Sequence, residues 1–253
     1  TVEAAVLDLI SDLREKFDSA IVYISHDLSV VARVCDRVGV MYAGELVETA
    51  TVHDVFLNPL HPYTHGLMGC VPGFDIDKHA MSLSSIPGRV PSPSALPRGC
   101  VFEPRCEFAV DACRKEAPPL QTLQDGRTVR CFRWQAVADA QACASEGVQS
   151  TGACPAPVDA DPVLKVKDLK SYYRQDPTLI GQMLGKKARC VRAVDQVSLA
   201  LKSHAVLGIV GESGCGKSTL ARTIAGLVAP TDGHIEFLDV DVTVPVEKRP
   251  REI

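Results

Sequence analysis

The sequence predicts an α/β fold with a largely parallel sheet, and three observations carry that expectation. Apolar runs of strand length alternate with stretches of helical periodicity, one run feeds a glycine-rich loop that opens a helix, and another ends in a polar Ser-His-Asp turn. The alternation gives the fold class. The two loop ends give its chemistry.

The glycine loop is Gly211-Glu212-Ser213-Gly214-Cys215-Gly216-Lys217-Ser218-Thr219, which fits G-x-x-x-x-G-K-[ST], the phosphate-binding P-loop. Gly211, Gly214 and Gly216 allow backbone conformations closed to residues with a Cβ, so that successive N–H groups of residues 212 to 219 can face a phosphate. Lys217 adds a point charge and Ser218 a hydroxyl for Mg²⁺, while the helix that starts near Lys217 turns its positive end to the same anion. Ahead of the loop, His204-Ala-Val-Leu-Gly-Ile-Val210 reads as a buried strand; behind it, Ser218 to Leu227 has apolar residues at helical spacing. Binding of ATP or GTP follows.

With 253 residues and 46% apolar side chains, the chain can build one large domain or two small ones. A net charge of −4 gives no argument for nucleic acid or an anionic membrane surface. No apolar run approaches the ~18 residues of a membrane span and no secretory signal opens the chain, so it reads as cytosolic and able to dock on a membrane protein. Ten cysteines, six of them scattered singly, do not form a secreted disulfide framework.

Taken in order, Thr1 to Phe17 reads as an amphipathic helix and Ser19 to Ser25 as a buried strand, with His26 at its C-terminal end, where open α/β sheets place ligand chemistry. A helix from Leu28 to about Arg37 follows, then strands Arg37 to Tyr42 and Glu45 to Glu48 turning at Ala43-Gly44. Pro62 in His61-Pro62-Tyr63-Thr64 suits the first turn of a helix. Residues 71 to 99 are rich in Pro, Ser and Gly and read as loop.

That loop leads to Cys100, Cys106, Cys113 and Cys131. Four thiolates on short loops can converge on one centre, and sulfur ligands select Zn²⁺ or an iron–sulfur cluster; the absence of a C-x2-C knuckle weakens the zinc-ribbon form, and four reduced structural thiols are the alternative. Residues 135 to 161 read as a linker, helical at its start, and Cys143 and Cys154 within it are poor ligand candidates. Pro162 to Leu169 and Val191 to Leu201 read as strands flanking Tyr172, Tyr173 and a loop with Gly181 and Gly185; Ala229 to Phe237 reads as turn and strand.

The run Tyr23 to Glu48, the His61-Pro62-Tyr63-Thr64 element, the P-loop with its flanks and the cysteine run together resemble ABC transporter ATP-binding proteins of the oligopeptide/dipeptide importer subfamily. The resemblance covers most of the chain apart from the linker. It implies that His26 is the switch histidine that contacts the γ-phosphate and helps polarise the attacking water, and that Tyr173, with Tyr172 as the alternative, stacks on adenine. It implies ATP and Mg²⁺ as ligands and, in some members, a [4Fe–4S] cluster on a cysteine-rich extension, here Cys100, Cys106, Cys113 and Cys131. Transmembrane permease subunits, a peptide- or solute-binding protein and a peripheral location on the cytoplasmic face of the membrane are the implied setting.

Order along the chain is unusual for one such domain, because the switch histidine lies far upstream of the P-loop instead of downstream. The expectation is a piece of a tandem ATPase: residues 1–70 the C-terminal part of a first nucleotide-binding domain, 71–134 its cysteine-rich extension, 135–161 a linker, and 162–253 the N-terminal part of a second domain. His26 and Lys217 would then serve different sites, and the piece alone would not sustain hydrolysis. The rival expectation is a metal- or cluster-binding regulatory module that binds ATP without hydrolysing it; a GTPase is a third, against which the residues around His26 argue.

Overall fold

A computed structural model describes residues 7, 9–10, 12, 14, 16–17, 19–69, 86–144, 161–175 and 189–249. Residues 71–85 of the expected loop, Gly181, Gly185, Cys154 and most of the expected linker lie outside the described residues, as does the side chain of Cys143.

The first sheet is built around the strand that carries the P-loop. Its members are β1 (Ile21–Ile24), β2 (Arg37–Tyr42), β3 (Glu45–Thr51), β4 (Gln121–Thr122), β5 (Thr128–Val129) and β8 (Val206–Val210), in the spatial order β1-β8-β2-β3-β5-β4. β8 runs parallel to both neighbours, with Ile24 opposite Ile209 on one side and Val40 opposite Val210 on the other. The second sheet, order β10-β9-β6-β7, contains β6 (Pro162–Gln175), β7 (Arg189–Lys202), β9 (Asp232–Phe237) and β10 (Val240–Asp241) and is antiparallel throughout. The expectation of a largely parallel sheet therefore holds only for the three strands at the P-loop. Turn geometry explains the rest: Ala43 (φ 48°) and Gly44 (φ 89°) both take the left-handed conformation that a two-residue hairpin needs, which sends β3 back antiparallel to β2.

The two segments expected in separate domains share this first sheet. β8, from residues after 162, sits between β1 and β2, from the first 70 residues. Physical complementarity accounts for it. β8 is buried along its whole length and needs a partner on both edges. Asp36 fixes the register: its carboxylate accepts from Val206 N (2.6 Å), its own N–H donates to Val206 O (2.9 Å), and Arg14 bridges Asp36 (3.1 Å) and the His204 carbonyl (2.8 Å).

Alternation along β8 distributes the core. Leu207 and Ile209 face a cluster with Met41, Leu169, Val194, Ile235 and Leu220, the last on α6 (Lys217–Ile224). Val206 and Val210 face the other side, with Val38, Val40, Tyr42, Tyr63 and Phe102, covered by α1 (Leu28–Val34), α2 (Val52–Leu57) and α3 (Pro62–Met68). Each such side chain stabilises the fold by roughly 1.5–3 kcal/mol on burial. α1 packs so tightly on β8 that a Cβ at Gly208 would lie 2.8 Å from both Val31 Cγ1 and Cys35 Sγ. The helix expected to reach Arg37 stops at Val34, because Asp36 is spent on Val206 and Arg37 pairs into β2.

Short elements complete the chain. α4 (Asp111–Lys115) lies in the cysteine loops, and α5 (Trp134–Ala144) is the helix expected at the start of the linker.

Candidate nucleotide site and cysteine centre

The loop between β8 and α6 has the backbone its glycines allow. Gly211 (φ 150°), Gly214 (φ 82°) and Gly216 (φ 104°) all have positive φ. At Gly211 a Cβ would sit 2.1 Å from the Met41 carbonyl, and at Gly216 a Cβ would sit 2.0 Å from the Ala193 carbonyl, so both glycines are forced by backbone packed against the loop. Gly214 differs, since a Cβ there would meet nothing within 4 Å. This open side is where a ligand can approach.

Neighbouring backbone pins the cradle. Gly44 N donates to Cys215 O (2.9 Å) and Asp195 N donates to Gly44 O (2.8 Å), so the β2–β3 turn is stitched between the P-loop and β7. Lys217 Nζ folds back on the carbonyls of Gly211 (2.8 Å) and Glu212 (3.0 Å) and lies 3.6 Å from Cys215 Sγ. α6 begins without a side-chain cap, and the N–H groups of Gly216 to Thr219 have no backbone acceptor among the described residues. Backbone donors without backbone acceptors, a helix N-terminus and an ammonium group beside an open face suit the phosphates of a nucleotide.

Two expected donors are spent elsewhere, the first of them Cys215 N, which donates to Glu212 O (3.3 Å). Glu212 N–H donates to the Tyr63 hydroxyl (3.0 Å), so the phosphate-facing donors do not include residue 212. The Glu212 carboxylate accepts two hydrogen bonds from Arg105, at 3.1 and 3.3 Å.

His26 is exposed at the end of β1, one strand from the P-loop strand, and both strands end on the same sheet edge. Sequence order led to the expectation that His26 and Lys217 belong to separate sites. In this chain a shared sheet brings their loops to one edge, because β1 and β8 are parallel neighbours. Asp27 beside it caps α1, accepting from Ser29 N (2.9 Å) and Val30 N (3.3 Å).

Tyr173 is 40% exposed on β6, opposite Val191 of β7, two residues from the Ala193 carbonyl that packs on Gly216. Tyr172 is committed to structure: its hydroxyl donates to Asp195 and the Arg192 guanidinium lies 5.9 Å from its ring centroid. Of the two tyrosines, Tyr173 is the exposed one.

The sequence-predicted cysteines converge. Cys100, Cys106, Cys113 and Cys131 line one cavity with His61, Phe102, Phe108 and Phe132. Cys100 N donates to Cys113 O (2.8 Å), which draws two of the loops together. A recurrent local bond holds the sulfurs: Arg133 N donates to Cys131 Sγ (3.2 Å), and the N–H groups of Phe102 and Phe108 likewise bond the Cys100 and Cys106 thiols. Burial pushes the thiols of Cys100 and Cys106 up to about 12 and that of Cys131 up to about 11. The cavity has about 10 Å³ of room, the space of one water. Among the described residues, no group of three or more His, Cys, Asp or Glu side chains is placed to hold a metal ion, so the expected four-sulfur centre is gathered but not closed.

Sequence reading missed how His61, Glu48 and Arg105 act. His61 is buried and caps α3, its Nδ1 accepting from Tyr63 N (3.1 Å); burial lowers its pKa to about 3 and keeps the imidazole a neutral acceptor. Glu48 accepts from Leu60 N (2.8 Å) and His61 N (2.9 Å), with burial raising its carboxyl to about 6. These contacts seat Tyr63 against the P-loop. The Pro62 turn reading was the available signal for the helix.

The cradle, Lys217 and the helix start define a P-loop nucleotide-binding protein of the α/β class. Residues 194–253 match the ABC transporter family and residues 47–113 match the oligopeptide/dipeptide transporter C-terminal region. The chain belongs among the ATP-binding proteins of ABC transporters, in the oligopeptide/dipeptide group. It is 40% identical over 242 residues to the oligopeptide transport ATP-binding protein OppD of Mycobacterium tuberculosis, covering 96% of this chain and 39% of that protein. It is 52% identical over 137 residues to the oligopeptide transport ATP-binding protein AppD of Bacillus subtilis (53% of this chain, 40% of that protein). For OppD of Salmonella typhimurium the identity is 44% over 133 residues, 53% of this chain and 39% of that protein. The chain thus spans about two fifths of the length of these relatives.

Proposed function

We propose that the chain is part of an ATP-binding subunit that couples ATP hydrolysis to import of peptides or related small solutes. The observation that carries this reading is the open P-loop cradle in a chain that also carries the oligopeptide/dipeptide transporter segment. Lys217 and the N–H groups of Gly214 and of Gly216 to Thr219 hold the phosphates, Ser218 holds Mg²⁺, and Tyr173 stacks on the base. Bound ATP supplies the free energy of phosphoanhydride cleavage. His26 is proposed to orient the attacking water at the nucleotide site of the first domain, a different site from that of Lys217.

In the whole protein the two segments belong to successive nucleotide-binding domains, a reading supported by the collinear match to the mycobacterial OppD across nearly all of this chain. Permease subunits and, through them, a solute-binding protein are the partners, and the subunit works on the cytoplasmic face of the membrane. No helix among the described residues is long and apolar enough to cross a membrane, so attachment through such subunits fits. The test is reconstitution of the complete protein with its permease subunits in vesicles: ATP-driven uptake of a labelled oligopeptide is expected, and its persistence in Lys217→Ala would refute the reading.

The four gathered cysteines are the proposed ligands of a [4Fe–4S] cluster or Zn²⁺. Support comes from their common cavity. Room for one water means the loops must spread to admit a cluster, whereas a single ion needs them to close. Iron, sulfide and zinc analysis of anaerobically purified protein decides between the two, and a metal-free result rejects both.

A further inference from the structure

Every polar group of Glu212 is engaged. Its N–H goes to the Tyr63 hydroxyl (3.0 Å), its carbonyl accepts from Lys217 Nζ (3.0 Å) and Cys215 N (3.3 Å), and its carboxylate is gripped by Arg105. Arg105 is engaged as fully. Its side chain is only 5% exposed. Nε donates to Pro87 O (2.9 Å), Nη1 to the Tyr42 hydroxyl (3.2 Å) and Glu212 Oε2 (3.1 Å), and Nη2 to Ile86 O (3.3 Å) and Glu212 Oε1 (3.3 Å). A guanidinium carries five N–H donors, and all five have acceptors here. Its plane lies 5.7 Å from the Tyr42 ring centroid and 5.9 Å from that of Phe102.

This pair joins two centres. Arg105 is the residue immediately before Cys106, and Glu212 is the first residue after the glycine that opens the P-loop. A planar fork held on all sides fixes the carboxylate in one place, which a lysine in the same position does not do. With Glu212 fixed, the carbonyl that accepts from Lys217 is fixed as well, and the ammonium is held over the cradle.

We propose that Arg105 is a positioning residue for nucleotide binding, a strut through which the cysteine loop sets the entry of the P-loop and the resting place of Lys217. The proposal rests on the nucleotide-site reading above and deepens it. The cysteine loop and the nucleotide site are then energetically coupled, and any change at Cys106 reaches the phosphates through Arg105.

Titration of the purified full chain with a fluorescent ATP analogue and Mg²⁺, beside thermal melting, tests it. Arg105→Ala and Glu212→Gln each weaken binding about tenfold, within the usual range for coupled sites, and the double variant is no weaker than either. Arg105→Lys stays weak, and the exchange of Arg105→Glu with Glu212→Arg recovers most of the affinity. Cys106→Ala weakens binding in the wild-type background and adds nothing to Arg105→Ala. If Arg105→Ala and Arg105→Lys bind like wild type while Lys217→Ala does not bind, Arg105 is a stability strut only and the positioning role is overturned. Additive effects of Cys106→Ala and Arg105→Ala overturn the coupling. Failure of the wild type to bind, or indifference to Lys217→Ala, overturns the nucleotide site itself and the proposal with it.

Discussion

The P-loop and the cysteine loops use the same backbone group in opposite ways. At the P-loop, the N–H groups of Gly216 to Thr219 lack backbone acceptors among the described residues and face an open side. At the cysteine loops, the N–H groups of Phe102, Phe108 and Arg133 are already bonded to sulfur in a cavity with room for one water. Unmatched donors in reach of solvent are an anion site waiting for charge from outside. Matched donors around buried sulfur leave no such opening for charge from outside. The comparison teaches that ligand readiness is read from which backbone donors lack partners, more than from the residue types that line a loop.

The sharpest way to break the comparison is at the glycines. Gly216→Ala puts a Cβ 2.0 Å from the Ala193 carbonyl at φ 104°, and a loss of stability of about 4 kcal/mol or more, from strain and backbone clash, is expected in chemical denaturation. Lys217→Ala leaves the fold intact and removes the ammonium that rests on Gly211 O and Glu212 O; a loss of MgATP affinity of about 100-fold is expected by titration calorimetry. Gly214→Ala sharpens the contrast, because its φ of 82° is left-handed but its Cβ meets nothing: only the conformational cost of roughly 1–2 kcal/mol is expected.

At the seat of Tyr63 a pH effect is expected. His61 has its pKa lowered from 6.5 to about 3 by burial, so the stability it contributes is whole above pH 6.5 and is lost as pH falls toward 3. Across that window the slope is about 1.4 kcal/mol per pH unit for a single group. His61→Asn keeps an acceptor for Tyr63 N and has no charge to gain, so melting profiles of the variant should be flatter than wild type between pH 6.5 and 3. Parallel profiles would remove His61 from the acid side of the stability curve.

Much of this was legible in the sequence where geometry forces a residue type. Gly211 and Gly216 are required by backbone torsion and a carbonyl beside each, which is why the P-loop pattern and its flanking strand and helix could be placed from residues alone. The hairpin of β2 and β3 was set by Ala43-Gly44, and the four clustered cysteines line one cavity, though among the described residues they form no group placed to hold a metal ion. What could not be read was pairing across distance. Arg105 and Glu212 are 107 positions apart and neither carries a pattern that names the other. The same holds for the Tyr63 hydroxyl at Glu212 N–H, and for β8 entering between β1 and β2. An apolar strand run declares its need for two neighbours but not which strands supply them.

Amide hydrogen exchange over residues 211 to 219, with and without MgATP, tests the central claim most directly. The Glu212 amide, bonded to the Tyr63 hydroxyl, should be protected in both states, and the amides of Gly214 and of Gly216 to Thr219 should gain protection only when MgATP is present. No change at Gly216 to Thr219 on saturation with MgATP would contradict the assignment of this loop as the phosphate site.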